Sequence, residues 1–214
     1  MLDISRLTVD AGERVFIRGP SGSGKTTLLN LLSGVAVPES GTLEVMGTGI
    51  GALSGSARDA FRADHVGFIF QMFNLVPYLS PVENVALACR FSKLRRARAI
   101  QRSGSVEGEA LRLLEYMGLG ADTVAGHSSA QLSIGQQQRV AAARALIGAP
   151  ELVIADEPTS ALDDDMRETF LGLLFGEVSV TGATLLFVSH DARLRGRFDR
   201  AVDLPEINRT VPEA

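Results

Sequence analysis

Phosphate chemistry needs a backbone that can fold around an anion, a cation beside it and carboxylates to handle water and metal. The stretch Gly19-Pro20-Ser21-Gly22-Ser23-Gly24-Lys25-Thr26-Thr27 fits G-x-x-x-x-G-K-[ST]. Glycines at 22 and 24 tolerate positive φ and let the chain approach a phosphate closely. Successive N–H groups then point inward at the anion. Lys25 supplies charge at the β- and γ-phosphates, and Thr26 offers a hydroxyl to Mg²⁺.

Four further features suit the same chemistry. Asp156 and Glu157 follow the apolar run Leu152-Val153-Ile154-Ala155. The first carboxylate can hold Mg²⁺ and the second can orient or deprotonate water. The plainer reading is a pair of acidic helix caps, which the loop upstream makes less attractive. His190 follows the apolar run 183–188 and is placed to reach a γ-phosphate, although a lone histidine is more often a surface residue. Gln71 ends the run 65–70 and can ligate Mg²⁺ or position water without adding charge. Finally, Leu132-Ser133-Ile134-Gly135-Gln136 opens a helix. A serine cap, a glycine and free helix N–H groups make a second anion site. Two such surfaces fit one nucleotide if two copies of the chain face head to tail.

These residues need elements to hold them. Arg14–Arg18 reads as a strand into the loop and Thr26–Leu32 as the helix after it. Leu2–Val9 alternates like a half-buried strand, and Thr42–Met46 reads as another. Residues 47–55 are Gly-rich and read as loop. Ser80-Pro81-Val82-Glu83 combines a cap, a proline at the first helical position and a glutamate three residues on; its helix should run through Ala88, at most to Phe91. Residues 102–108 read as a polar connection and Glu109–Met117 as a helix closed by Gly118. The basic run Lys93–Arg98 reads as a solvated face, with lipid headgroups as the minority alternative. Ser133 should cap a helix to Ile147. Asp163 to Asp165 open another helix, in the turn where acidic residues suit the dipole. The tail from Pro205 reads as frayed. Strands alternating with helices imply a parallel sheet with ligands at the strands' carboxyl ends.

The chain has 214 residues, 45% hydrophobic and 21% charged, as one globular domain would. A net charge of −4 gives no electrostatic case for nucleic acid. Cys89 is the only cysteine, so no internal disulfide forms. No apolar run approaches the ~20 residues of a membrane span, and no signal-peptide pattern opens the chain. A cytoplasmic place is expected, with membrane contact only through a partner.

The order of these motifs resembles the ATP-binding subunits of ABC (ATP-binding cassette) transporters across essentially the full length. The matching residues are the Walker A loop 19–27, Gln71, the signature 132–136, the Walker B run 152–156 with Glu157, Ser160-Ala161-Leu162-Asp163, and His190. Residues 67–71 with Asn74-Leu75, and 155–160, are similar to the LolD/MacB/FtsE group. The resemblance implies an α/β P-loop fold with a mostly parallel core sheet, a small antiparallel β sub-domain and an inserted helical sub-domain. The core would span about 1–71 and 133–204, the helical part about 72–132 and the tail 205–214. It implies ATP and Mg²⁺ as cofactors. Nucleotide would be held by 19–27, Ser133, Gly135, Gln136 and Asp163, and Mg²⁺ by Thr26, Gln71 and Asp156. Catalysis would fall to Glu157, His190 and Gln71. The implied partners are a second copy and an integral membrane permease of the MacB/FtsX type, with the chain on the inner face of the membrane. Phe73, Leu75, Val76, Pro77, Tyr78 and Leu79 would be shared between such a partner and the helical core. The rivals are a soluble nucleotide-dependent switch or scaffold, and a cassette impaired in hydrolysis.

Two positions depart from the pattern. Ile134 stands where the signature commonly has glycine. The family stacks adenine on an aromatic residue lying upstream of residue 1, and Phe16 sits inside the strand instead. Either the true start lies upstream, or the cassette holds adenine less well; loss of a stack worth about 1–3 kcal/mol would weaken ATP binding roughly ten- to hundred-fold.

Overall fold

The computed structural model describes residues 2–124 and 128–210. In chain order its strands and helices are β1 (Arg14–Arg18), α1 (Lys25–Leu32), β2 (Glu44–Val45), β3 (Thr48–Gly49), α2 (Gly55–His65), β4 (Val66–Ile69), α3 (Pro81–Ala86), α4 (Ala88–Phe91), α5 (Lys93–Ser103), α6 (Val106–Tyr116), α7 (Ala121–Val124), α8 (Ile134–Leu146), β5 (Leu152–Asp156), α9 (Asp164–Thr181), β6 (Thr184–Val188), β7 (Arg200–Asp203) and α10 (Leu204–Ile207). Five strands form one parallel sheet in the order β4-β5-β6-β1-β7, while β2 and β3 make a small antiparallel pair. Short apolar runs suit this sheet because helices cover both of its faces.

Alternation along the strands divides the core in two. Phe16, Val153, Ala155, Leu185 and Phe187 face one side. Val15, Ile17, Ile154, Leu186 and Val188 face the other, with Leu28 and Leu29 of α1. The first core runs without a break into α3, α5, α6 and α8, through Val85, Ala99, Leu113, Leu114 and Val140. The stretch 72–132 therefore holds helices and no strand among its described residues, and it shares its core with the sheet. No helix among the described residues is long and apolar enough to cross a membrane.

Register places the site. Ile17 pairs with Val188, Asp156 with Val188, and Ile69 with Ala155. The segments leaving β1, β5, β6 and β4 thus emerge at one edge, carrying Gly19, Glu157, His190 and Gln71.

Several local expectations are corrected. Leu2–Val9 half-buries Leu2, Ile4, Leu7 and Val9 on the second core, but the alternation slips at the exposed pair Ser5-Arg6 and only Ile4 bridges, to Asn208. An amphipathic pattern fixes which side is buried; a ladder also needs a neighbouring strand. The strand expected at 42–46 is two residues long. The supposed loop 47–55 contains β3 and a 3-10 turn at Ile50–Ala52, and it ends in α2. That helix buries no side chain completely, so apolar periodicity does not reveal it; its one signal is the cap at Ser54, which accepts from Ala57 N at 3.3 Å. The helix from Pro81 breaks at Leu87 into α3 and α4. The connection expected at 102–108 shrinks to Gly104 and Ser105, a left-handed C-cap followed directly by the N-cap of α6. The tail is not frayed up to residue 210: α10 forms, Leu204 is buried, and Arg209 N donates to Asp3 O at 2.8 Å. The remainder of the tail, 211–214, lies outside the described residues.

The basic run is corrected in part: Lys93 and Arg96 are exposed, as a solvated face would have them, but Arg95 and Arg98 turn inward. Arg95 is buried, and its guanidinium donates to the carbonyls of Ile147 (2.8 Å), Ala145 (2.7 Å), Arg144 (3.2 Å) and Val66 (3.3 Å). Burial pushes its pKa down to about 10. Arg98 bonds Ala149 O and Glu151. These arginines close the C-terminal end of α8, where the last carbonyls have no helical partner.

Candidate active site

The phosphate loop joins β1 to α1 as expected. Gly24 caps α1 in a left-handed conformation, φ 97°. A Cβ there would lie 2.6 Å from Leu2 Cδ2, so the N-terminal segment packs against the loop, and the positive φ favours glycine. Pro20, Ser21, Gly22, Thr26 and Thr27 are exposed at the mouth, and Gly19 is buried beneath. Lys25 Nζ donates to the carbonyls of Gly19 at 2.6 Å and Pro20 at 2.9 Å. The Ser23 hydroxyl is buried with no hydrogen-bond partner.

At the end of β5, Asp156 is partly buried. Burial first, and the neighbouring Glu157 charge second, raise its pKa, while Lys25 opposes both. A partly desolvated carboxylate beside an ammonium suits a divalent cation that also takes phosphate oxygens. Mg²⁺ characteristically uses one or two carboxylates plus phosphates rather than an all-protein cage. Among the described residues no group of three or more His, Cys, Asp or Glu could hold a metal ion. Gln71 is exposed at the end of the adjacent strand.

Glu157 is 9% exposed and adopts φ 47°, a left-handed conformation costing a non-glycine residue about 1–2 kcal/mol. Its N–H donates to Val188 O at 2.9 Å. Its Oε2 lies 2.9 Å from Nδ1 of His190, which is otherwise exposed. With Glu157 ionised, Nδ1–H is the donor.

The signature residues stand apart from this cluster. Among the described residues no hydrogen bond joins Ser133–Gln136 to the phosphate loop. The Ser133 hydroxyl accepts from Gln136 N at 3.3 Å, and Gln136 Oε1 accepts from Ser133 N at 2.9 Å. This reciprocal cap leaves the Ser133 hydroxyl its own proton to donate. Ile134 is 56% exposed. Asp163 caps α9, accepting from Met166 N at 2.8 Å, and is exposed.

A cavity of about 380 Å³ lies beside His190, lined by Thr159, Ser160, Arg167, Ser189 and Asp191 among others. Arg167 joins its walls, donating to Leu162 O at 3.2 Å, Asp164 at 2.7 Å and Asp191 at 3.1 Å. Its place was not legible from sequence, because an arginine in the first turns of an acid-capped helix is ordinary.

A family model described as ABC transporter matches residues 2–160. The chain belongs to the ABC transporter family. The cassette is 40% identical over 200 residues to the lipoprotein-releasing system ATP-binding protein LolD of Syntrophotalea carbinolica, covering 94% of this chain and 84% of that protein. It is also 40% identical to the macrolide export ATP-binding/permease protein MacB of Rhodopirellula baltica, covering 94% of this chain but 28% of that longer protein. A solved dimeric ATP-binding cassette in a post-hydrolysis state, bound to ADP and Pi, superposes with a TM-score of 0.81 at 38% identity, covering 92% of this chain and 83% of that one. The cassette is an ATP-hydrolysing enzyme of the LolD/MacB group, and its fold is the P-loop cassette fold the sequence resembled.

Proposed function

We propose that two copies of this cassette close around two ATP·Mg²⁺ and drive a membrane permease of the MacB/FtsX type from the inner face of the membrane. The observation that carries the catalytic part is the Glu157–His190 contact at the strand edge shared with the phosphate loop. The loop 19–27 binds the triphosphate, with Lys25 turning from the loop carbonyls to the β- and γ-phosphates. Thr26, Asp156 and Gln71 would hold Mg²⁺, which supplies charge neutralisation at the phosphates. Glu157 orients water through Oε1 while His190 secures Oε2. Protonated His190 can donate from Nε2 to the γ-phosphate at the same time. Ser133, Gly135 and Gln136 of each copy close on the ATP of the other, with Asp163 at the seam, as the exposed and separate start of α8 allows. We take 72–132 as the helical sub-domain.

A groove of about 240 Å³ supports the permease reading. Phe68, Phe70, Leu87, Ala88 and Phe91 line it, and Phe91 is 73% exposed. In the run after Gln71, Phe73 is buried and Leu75 packs on the core, whereas Tyr78 is exposed. The shared role expected of this run thus divides residue by residue.

The test uses a tagged Glu157→Gln protein. With ATP·Mg²⁺ it should double in mass by light scattering, fall below 1% of wild-type turnover on the order expected for loss of a general base, and co-purify from gently solubilised membranes with a permease bearing a periplasmic domain. Wild-type turnover would sink the assignment of Glu157. Recovery of soluble partners alone would favour the switch or scaffold reading.

A further inference from the structure

Gln138 lies in α8, two residues beyond the Gln136 that completes the Ser133 cap. It is 1% exposed. Its Nε2 donates to the Pro158 carbonyl at 2.5 Å, while its Oε1 is buried with no partner. Val140, Ala141 and Ala142 further along the helix are apolar and buried, and an aliphatic side chain at 138 would spare the unmet Oε1 at the cost of leaving the Pro158 carbonyl without this donor. The amide is therefore explained by its one bond. Pro158 directly follows Glu157, whose left-handed backbone persists only where its surroundings hold it. Val188 O holds this turn at the Glu157 N–H, and Gln138 holds it at the Pro158 carbonyl.

We infer that Gln138 is a positioning residue that keeps the Glu157 carboxylate aligned and ties that alignment to the start of α8. This rests on the reading of Glu157 above. One stiff helix carries both the end that closes on the other copy's ATP and the bond to its own carboxylate turn. Engagement of α8 at one ATP thus adjusts Glu157 at the other.

The experiment compares the full-length wild type with Gln138→Met, Gln138→His and Glu157→Gln. Met matches the volume without a donor, and His restores an N–H at similar reach. Gln138→Met should lower kcat roughly ten- to hundred-fold, the range a small misplacement of a reacting group produces, with ATP KM within about twofold. Gln138→His should recover much of the loss. Gln138→Met turnover within twofold of wild type, beside an inactive Glu157→Gln, would overturn this inference and leave the Glu157 reading standing. An active Glu157→Gln would remove the reading itself. A second measurement needs no variant at Gln138. Hydrogen exchange on the wild type should show ATP·Mg²⁺ protecting the Glu157 and Ser160 amides together with Gln136 and Gln137. Protection at the start of α8 alone would overturn the coupling.

Discussion

At the scale of single residues, Lys25 is a compact charge on a flexible stem, as phosphate recognition asks. Its two bonds to Gly19 and Pro20 carbonyls hold it at the loop it serves. Lys25→Ala removes charge-assisted bonds worth about 1.5–3 kcal/mol each. ATP should then bind roughly 10- to 100-fold more weakly, which calorimetric titration measures. Of the freed carbonyls, that of Pro20 sits at the exposed mouth and that of Gly19 lies beneath it, so the fold should lose no more than about 1–3 kcal/mol. Unchanged affinity would remove Lys25 from the nucleotide site. Lys25, Asp156, Glu157 and His190 were legible in the sequence because their types, order and flanking strands all agreed. The Glu157–His190 distance was not, since those residues meet only through strand register.

At the scale of elements, α8 is fixed at both ends. Ser133 and Gln136 close its start, and Arg95 closes its finish. A Cβ at Gly148 would lie 2.6 Å from the Arg95 carbonyl oxygen, so α5 and the end of α8 are in close contact. Arg95→Met strips donors from several buried carbonyls. An unmet buried acceptor costs about 1–3 kcal/mol, and partial relaxation should bring the total to roughly 2–4 kcal/mol. The urea midpoint measures it; a change below about 0.5 kcal/mol would mean the carbonyls find other partners. The start of α8 could be read from sequence because a cap is local chemistry. Its finish could not, because Arg95 arrives from a helix about fifty residues earlier, and four basic residues within the six of 93–98 look like a solvated face.

At the scale of the whole molecule, the proposed nucleotide site and the apolar groove share an edge through β4. Phe68 of β4 lines the groove, and Gln71 follows the same strand. Tyr78 is 80% exposed and contributes little to the fold. Tyr78→Asp should keep stability within about 0.5 kcal/mol, as surface substitutions do. It should retain the ATP-dependent doubling of mass and lose the membrane partner in co-purification. A partner retained at wild-type yield would place the docking surface elsewhere.

By itself the sequence determined the family, the strand–loop–helix around 19–27, the strand ends that carry carboxylate and histidine, and the helix capped at Ser133. Each is written in contiguous residues, where turn, cap and strand chemistry act over a few positions. Tertiary structure alone decided that Leu2–Val9 lies as a half-buried segment without a ladder, that Arg95 is a buried clamp, that the tail closes onto Asp3, and that Gln138 reaches the turn beside Glu157. All four depend on which distant backbone group stands opposite, and a chain's local pattern does not carry that information.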